Sequence, residues 1–262
     1  MPFKYLLYEK KGRIAYVTLN RPEVMNSISP PVSEEMWEAF SDFRDDPEAW
    51  VLILTGAGEK AFTAGNDLKY QAQHASDPKA MEIKNPGGFA GITKNFTCYK
   101  PMIAAVNGFA LGGGLEIALK CDIIIAADHA RFGLPEPTVG LMAAAGGVLR
   151  LPRMIPQKIA MGMMFTARPI SAQEAYRIGL VNEVVPLKDL MATAERWAND
   201  ILRCSPLSIQ ATKEVTMKAL DMTLEDALNT DFPVVYKLFT SEDAVEGPLA
   251  FAQKRPPQWK GR

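Results

Sequence analysis

Residues 107–122 read NGFALGGGLEIALKCD. Three consecutive glycines run into a glutamate and then into an apolar, helix-like stretch. Glycine loses more backbone freedom on folding than any other residue, so a triplet implies that something approaches the bare main chain. The segment before it, MIAAVNG (102–108), reads as a strand, and GLEIALK (114–120) reads as a helix. DIIIAA (122–127) and WVLILT (50–55) are continuously apolar, as strands of a sheet covered on both faces are. RIAYVTL (13–19) is a further strand, and SEEMWEAFSDF (33–43) a helix with Met36, Phe40 and Phe43 on one face. Alternating strands and helices predict an α/β fold.

The tail is different. In LKDLMATAERWANDIL (187–202), Leu187, Leu190, Met191, Ala194, Trp197, Ala198 and Ile201 recur at helical spacing. Ser171-x-x-Glu174 and Thr223-x-x-Asp226 look like capping boxes that open helices, and Pro233 is expected to kink or end the last helical pattern. The chain therefore divides into an α/β core over 1–190 and a helical region over 191–262. The tail carries more apolar surface than one small helical layer hides, which suggests either assembly with further copies or packing on its own core.

Composition narrows the function. Lys plus Arg number 29 against 30 Asp plus Glu, and no dense basic run appears, so nucleic acid is not an expected partner. No basic amphipathic helix supports a membrane role, and the longest apolar run, IIIAA (123–127), is far too short to span a bilayer. The N-terminal stretch lacks the order of a signal peptide, and a cytoplasmic location is expected. Cys98, Cys121 and Cys204 are an odd number without metal-type spacing and read as buried free thiols. Only His74 and His129 are present, so a histidine-built metal site or a Ser–His–Asp triad lacks parts. Gly56-x-Gly58-x-x-Ala61 follows a strand and mimics a dinucleotide fingerprint, but no long helix starts on the glycines, and a strand-to-turn connection accounts for them better.

Two glycine-rich edges remain. The triplet precedes a helix whose first N–H groups have no intrahelical acceptor; glycine there either lets a ligand oxygen reach them or serves tight packing of helix on strand, and the triplet alone does not decide between the two. AFTAGNDL (61–68) brings Ala64 and Gly65 to another helix start, with Asn66 or Asp67 as cap. Each edge could give one N–H to the same carbonyl oxygen. Two acids accompany them. Glu116 sits in an apolar run, and Glu136 is held between Pro135 and Pro137.

IAAVNGFALGGGLEIALKCDIIIAA, AFTAGNDLK, RFGLPEPTVGL, GLVNEVVP and AFAQKRPPQWKGR together resemble the crotonase, or enoyl-CoA hydratase/isomerase, family along essentially the whole chain. Within it, FGLPE, GGVLRLP and WKGR are similar to carnitinyl-CoA hydratase-like members. The resemblance implies a spiral of ββα units with a C-terminal helical trimerisation region, assembled as trimers or dimers of trimers. It implies an oxyanion hole from the N–H groups of Ala64 and Gly113, with Glu116 and Glu136 as paired catalytic acids. Val24 and Met25, in RPEVMNSI, are expected to contact CoA, and Gly65, Asn66 and Asp67 to border the substrate. Phe251 and Lys254 match residues that reach CoA across a subunit boundary. The implied reaction is hydration of an α,β-unsaturated acyl-CoA, with isomerisation, decarboxylation, hydrolysis or silent acyl-CoA binding as alternatives. No metal or resident cofactor is implied, because CoA arrives with the substrate. Leu115, Leu134 and Ala143-Ala144-Ala145 depart from the usual hydratase pattern and are expected to change the pocket wall.

Overall fold

The structure, a computed structural model, describes residues 3–262, so the first two residues of the expected core lie outside the described residues. Its strands are β1 (Leu6–Lys11), β2 (Ile14–Leu19), β3 (Val51–Gly56), β4 (Ala61–Thr63), β5 (Met102–Val106), β6 (Phe109–Leu111), β7 (Ile123–Ala127), β8 (Arg131–Gly133), β9 (Ile170–Ser171) and β10 (Glu183–Val185). The helices are α1 (Pro30–Asp45), α2 (Leu68–Gln73), α3 (Gly113–Ala118), α4 (Gly147–Met154), α5 (Gln157–Thr166), α6 (Ala172–Arg177), α7 (Leu190–Leu202), α8 (Pro206–Ala219), α9 (Leu224–Leu228), α10 (Pro233–Phe239) and α11 (Glu242–Ala252). A six-stranded sheet runs in the order β1-β2-β3-β5-β7-β10, parallel except for the β1–β2 hairpin. A smaller sheet runs β4-β6-β8-β9. The chain alternates between them: β3 leads to β4 and α2, and β5 leads to β6 and α3. These are the ββα turns of the expected spiral.

The apolar runs at 51–56, 102–106 and 123–127 are explained by cover on both faces. Leu52, Leu54, Ala104, Val106, Ile124 and Ala126 face one core, into which α1 inserts Met36, Phe40 and Phe43. The alternate residues Val51, Ile53, Ile103, Ala105, Ile125 and Ala127 face a second core closed by Leu190, Ala194 and Ala198 of α7. Side chains alternate across a strand, so one run supplies both layers. The division expected at 190/191 therefore cuts through this layer. Helix α7 lies on the main sheet, and the helices that extend away from the core begin with α8. Lys213 of α8 anchors them by donating to Asp122 Oδ2 at 2.7 Å and to the Lys100 carbonyl at 3.0 Å.

Both expected capping residues accept as caps. Glu174 N donates to Ser171 Oγ at 3.1 Å, and Asp226 N to Thr223 Oγ1 at 3.1 Å. Pro233 differs from expectation. It stands at the first position of α10, where its missing N–H would have had no helical partner, and so it starts a helix instead of breaking one. Cys98 and Cys121 are buried, whereas Cys204 is exposed. The Met-rich α5 buries Met163 and Met164 in the core. Among the described residues no helix is long and apolar enough to cross a membrane.

Ala194 is fully buried against the sheet. Ala194→Asp is expected to cost about 3 kcal/mol or more, because the carboxylate has no partner there. Denaturant unfolding checks this, and an unchanged midpoint would contradict the packing of α7 on the sheet.

Candidate active site

Each glycine of the triplet makes room for a different neighbour. A Cβ on Gly112, whose φ is +56°, would stand 3.0 Å from Glu136 Oε1. One on Gly113 would lie 2.4 Å from the Phe89 ring, and one on Gly114 would lie 2.2 Å from the Thr63 carbonyl oxygen. A carboxyl, an aromatic ring and a neighbouring strand therefore converge on three bare residues. Segment 64–66 packs against the same place, since a Cβ on Gly65 would approach Gly113 N to 2.7 Å.

That contact fixes which amides are free, and it corrects one expectation. Ala64 N–H is already used: it donates to the Met25 carbonyl at 3.0 Å. Ile28 forms a parallel bridge with Asn66, accepting from Asp67 N at 2.9 Å and donating to the Gly65 carbonyl at 2.8 Å. In such a bridge the central residue's N–H points the other way. Among the described residues no acceptor takes the Asn66 N–H, and none takes that of Gly113, the first residue of α3. The free pair is thus Asn66 and Gly113. Ala64 remains a wall residue.

Both residues line a cavity of about 1080 Å³ that also receives Glu116, Glu136 and Phe89. Glu116 is only 3% exposed. Its Oε1 accepts from Gly147 N at 2.7 Å, and a Cβ on Gly147 would come within 3.1 Å of the same carboxyl. Burial pushes its pKa up to about 7; the Gly147 N–H opposes the shift and the Glu136 charge adds to it. Burial also raises the Glu136 carboxyl above its ordinary value. Glu136 Oε2 is buried and makes no hydrogen bond, so it can act on a bound molecule. Both carboxyls are thus biased toward the protonated form, and the charge of Glu136 adds to the bias at Glu116.

Other expected site residues fall elsewhere. Asp67 turns away from the cavity: it caps α2 through Tyr70 N at 3.0 Å and pairs with Arg21 at 2.9 Å. Gly65 provides close approach and is not a lining residue. Met25 lines a second cavity of about 480 Å³ with Lys60, Phe109 and His129, while Val24 lines neither. Phe251, 87% exposed, and Lys254 lie at the end of α11 and line neither cavity of the single chain. Leu115 and Leu134 are buried in the core and leave the pocket wall unchanged, whereas Ala144 and Ala145 do line it. Phe89 was not anticipated. Its signal was the glycine-flanked GGFAG (87–91), where Gly91 at φ +70° packs on Trp37.

The comparisons with known proteins agree with this architecture. A family profile described as Enoyl-CoA hydratase/isomerase matches residues 9–262. The chain is 46% identical over 259 residues to a carnitinyl-CoA dehydratase of Salmonella arizonae, covering 96% of this chain and 97% of the relative. It is 47% identical over 257 residues to the carnitinyl-CoA dehydratase of Escherichia coli strain K12, covering 97% of each. Among solved structures, an enoyl-CoA hydratase from Mycobacterium tuberculosis H37Rv superposes with a TM-score of 0.92 at 36% identity, over 98% of this chain and 99% of that one. One from Bacillus anthracis gives 0.88 at 35% identity, over 99% and 100%.

The raised Glu116 pKa has a consequence for stability. Between the ordinary glutamate value of 4.5 and about 7 the folded chain holds a proton that the unfolded chain has released. Stability from this group is therefore complete below 4.5 and declines as pH rises toward 7, by at most roughly 1.4 kcal/mol per unit. Glu116→Gln is expected to flatten that part of the profile. Parallel slopes in urea titrations of the two proteins between those pH values would contradict it.

Proposed function

The chain belongs to the enoyl-CoA hydratase/isomerase family, and on that premise we propose that its cavity reversibly hydrates an α,β-unsaturated acyl-CoA to the 3-hydroxyacyl-CoA. One observation carries the reading: two unused main-chain N–H groups and two carboxyls, Glu116 buried and Glu136 half-buried, line the same cavity. The thioester oxygen accepts from the N–H groups of Asn66 and Gly113. As water adds to the β-carbon, electrons move onto that oxygen and form an enolate. Each such donor is worth about 2.7–4 kcal/mol in the transition state. The carboxyl pair handles the protons: the ionised member takes one from water while the protonated member gives one to the α-carbon. A pKa of about 7 at Glu116 keeps both forms available near neutrality. The chain belongs with hydro-lyases, and this chemistry needs no metal and no resident cofactor beyond the CoA of the substrate.

The named relatives act on carnitinyl-CoA, so the acyl group proposed here is a short chain with a polar or charged terminus. The cavity supports this with Lys94, Arg153 and Asp221 on its lining, none of them in an ion pair among the described residues. Exposed Leu220, Leu224, Leu228, Tyr236, Phe239 and Val245 on the helical tail support assembly as a trimer or a dimer of trimers. In that assembly Phe251 and Lys254 reach the CoA of a neighbouring copy. A cytoplasmic location fits three unpaired thiols and bacterial relatives.

Glu116→Gln and Glu136→Gln are each expected to lower kcat by about 10²–10⁴-fold while acyl-CoA still binds. The loss of conjugated-thioester absorbance follows the reaction over a panel of carnitinyl-type and unbranched enoyl-CoA esters. Full activity in either variant would remove that acid from the mechanism, and turnover of only β,γ-unsaturated esters would make the enzyme an isomerase.

Lys254→Ala is expected to raise the Kd of CoA esters several-fold in the assembled protein, because an ammonium pairs readily with phosphate. Calorimetry decides it, and an unchanged Kd excludes the contact.

A further inference from the structure

The turn that holds Glu116 is itself held by one side chain. Arg150 lies on α4, one turn in from Gly147, and folds back over its own helix start. Its Nη1 donates to the Ala145 carbonyl at 3.0 Å, and its Nη2 to the Thr93 carbonyl at 2.8 Å. Gly146, at φ +111°, has no side chain to obstruct it; a Cβ there would stand 1.9 Å from Nη1. The guanidinium thus spans two segments. One is the 145–147 turn, whose Gly147 N–H binds the Glu116 carboxyl. The other is the segment after Phe89, where Thr93 Oγ1 donates to the Phe89 carbonyl at 2.8 Å. Among the described residues no carboxylate lies within salt-bridge distance of Arg150, although it is half-buried and lines the cavity.

We propose that Arg150 is a positioning residue for Glu116, clasping the turn that holds the carboxyl to the wall that carries Phe89. A guanidinium suits the role because its planar fork serves two carbonyls from a single rigid group. The clasp fixes Glu116 on one side and the Phe89 ring beside Gly113 on the other. The acid and the amide donor are thereby kept in one geometry relative to each other. Arg150 also contributes charge. Of the charged groups near Glu116, Glu136 raises its pKa and Arg150 lowers it, while Lys94, Arg153 and Asp221 stand around the same cavity. Removing the guanidinium therefore moves Glu116 further up.

The inference rests on the hydration reading, and the experiment separates the two. Arg150→Met keeps the apolar stem, and Arg150→Lys keeps the charge without the fork. In Arg150→Met, kcat is expected to fall on the order of 10²-fold with KM changed only several-fold, as misplacement of a reacting group does. NMR titration of isotope-labelled glutamate side chains, with the Glu116 signal identified by its loss in Glu116→Gln, is expected to show that pKa rising. In Arg150→Lys the kcat loss is expected with a smaller rise. In a Glu116→Gln background the Arg150 substitutions are expected to cost little further activity. A Glu116 titration that stays put in both variants, or an undiminished cost in that background, overturns the proposal. Should the Met variant fail to fold, the Lys variant decides by the same two readings. Full activity of Glu116→Gln alone would instead sink the hydration role of that acid.

Discussion

The site depends on the contact of two stretches of main chain, residues 64–66 and 112–114, with no side chain between them. Gly65 meets Gly113 N and the Leu111 carbonyl, and Gly114 meets the Thr63 carbonyl. Neither approach survives a Cβ, because backbone on the opposite side cannot yield as a flexible side chain can. The parallel strands β4 and β6, each the short second member of a ββα unit, bring the stretches together. The amides that remain free are those the pairing pattern leaves over. The two free amides are thus a by-product of how two edges of the fold are stitched.

The same geometry explains what the sequence disclosed and what it withheld. Continuous apolar runs identified the central strands because both their faces are covered, and the triplet marked close approach but not what would make it. The sequence pointed to the Ala64 N–H on the first edge, whereas the N–H left free there is that of Asn66, two residues on. Composition at 61–68 shows where the chain turns, but the bridge to Ile28 decides which N–H is consumed, and that pairing is long-range. Asp67 was grouped with the substrate border for the same reason. The cap role was one of two the sequence offered, but the partner Arg21 is distant in sequence, so the ion pair was visible only once the chain had folded.

The boundary between core and tail shows a different limit. Helix α7 has the amphipathic spacing of any surface helix, and periodicity does not say which surface it covers. In the fold it closes the second face of the main sheet, burying Ala194 and Ala198 where the small side chains allow the helix to sit close. The helices after it bury little and expose large apolar side chains, so the excess apolar surface read from the sequence belongs to α8–α11 and not to α7.

Burying a pair of acids is costly, and the arrangement around Glu116 shows how that cost is limited. Desolvation is the largest influence on Glu116 and pushes its pKa up. One N–H at 2.7 Å and a guanidinium without a carboxylate partner pull the value back. Glu136 has less support: only its own backbone N–H opposes the upward push of burial, and its Oε2 is buried and unpartnered. The two carboxyls therefore differ in kind, one held in place by its surroundings and one left free to meet what binds. That asymmetry suits a reaction in which a proton leaves water on one side while another reaches carbon, since only one of the two groups must be fixed before substrate arrives.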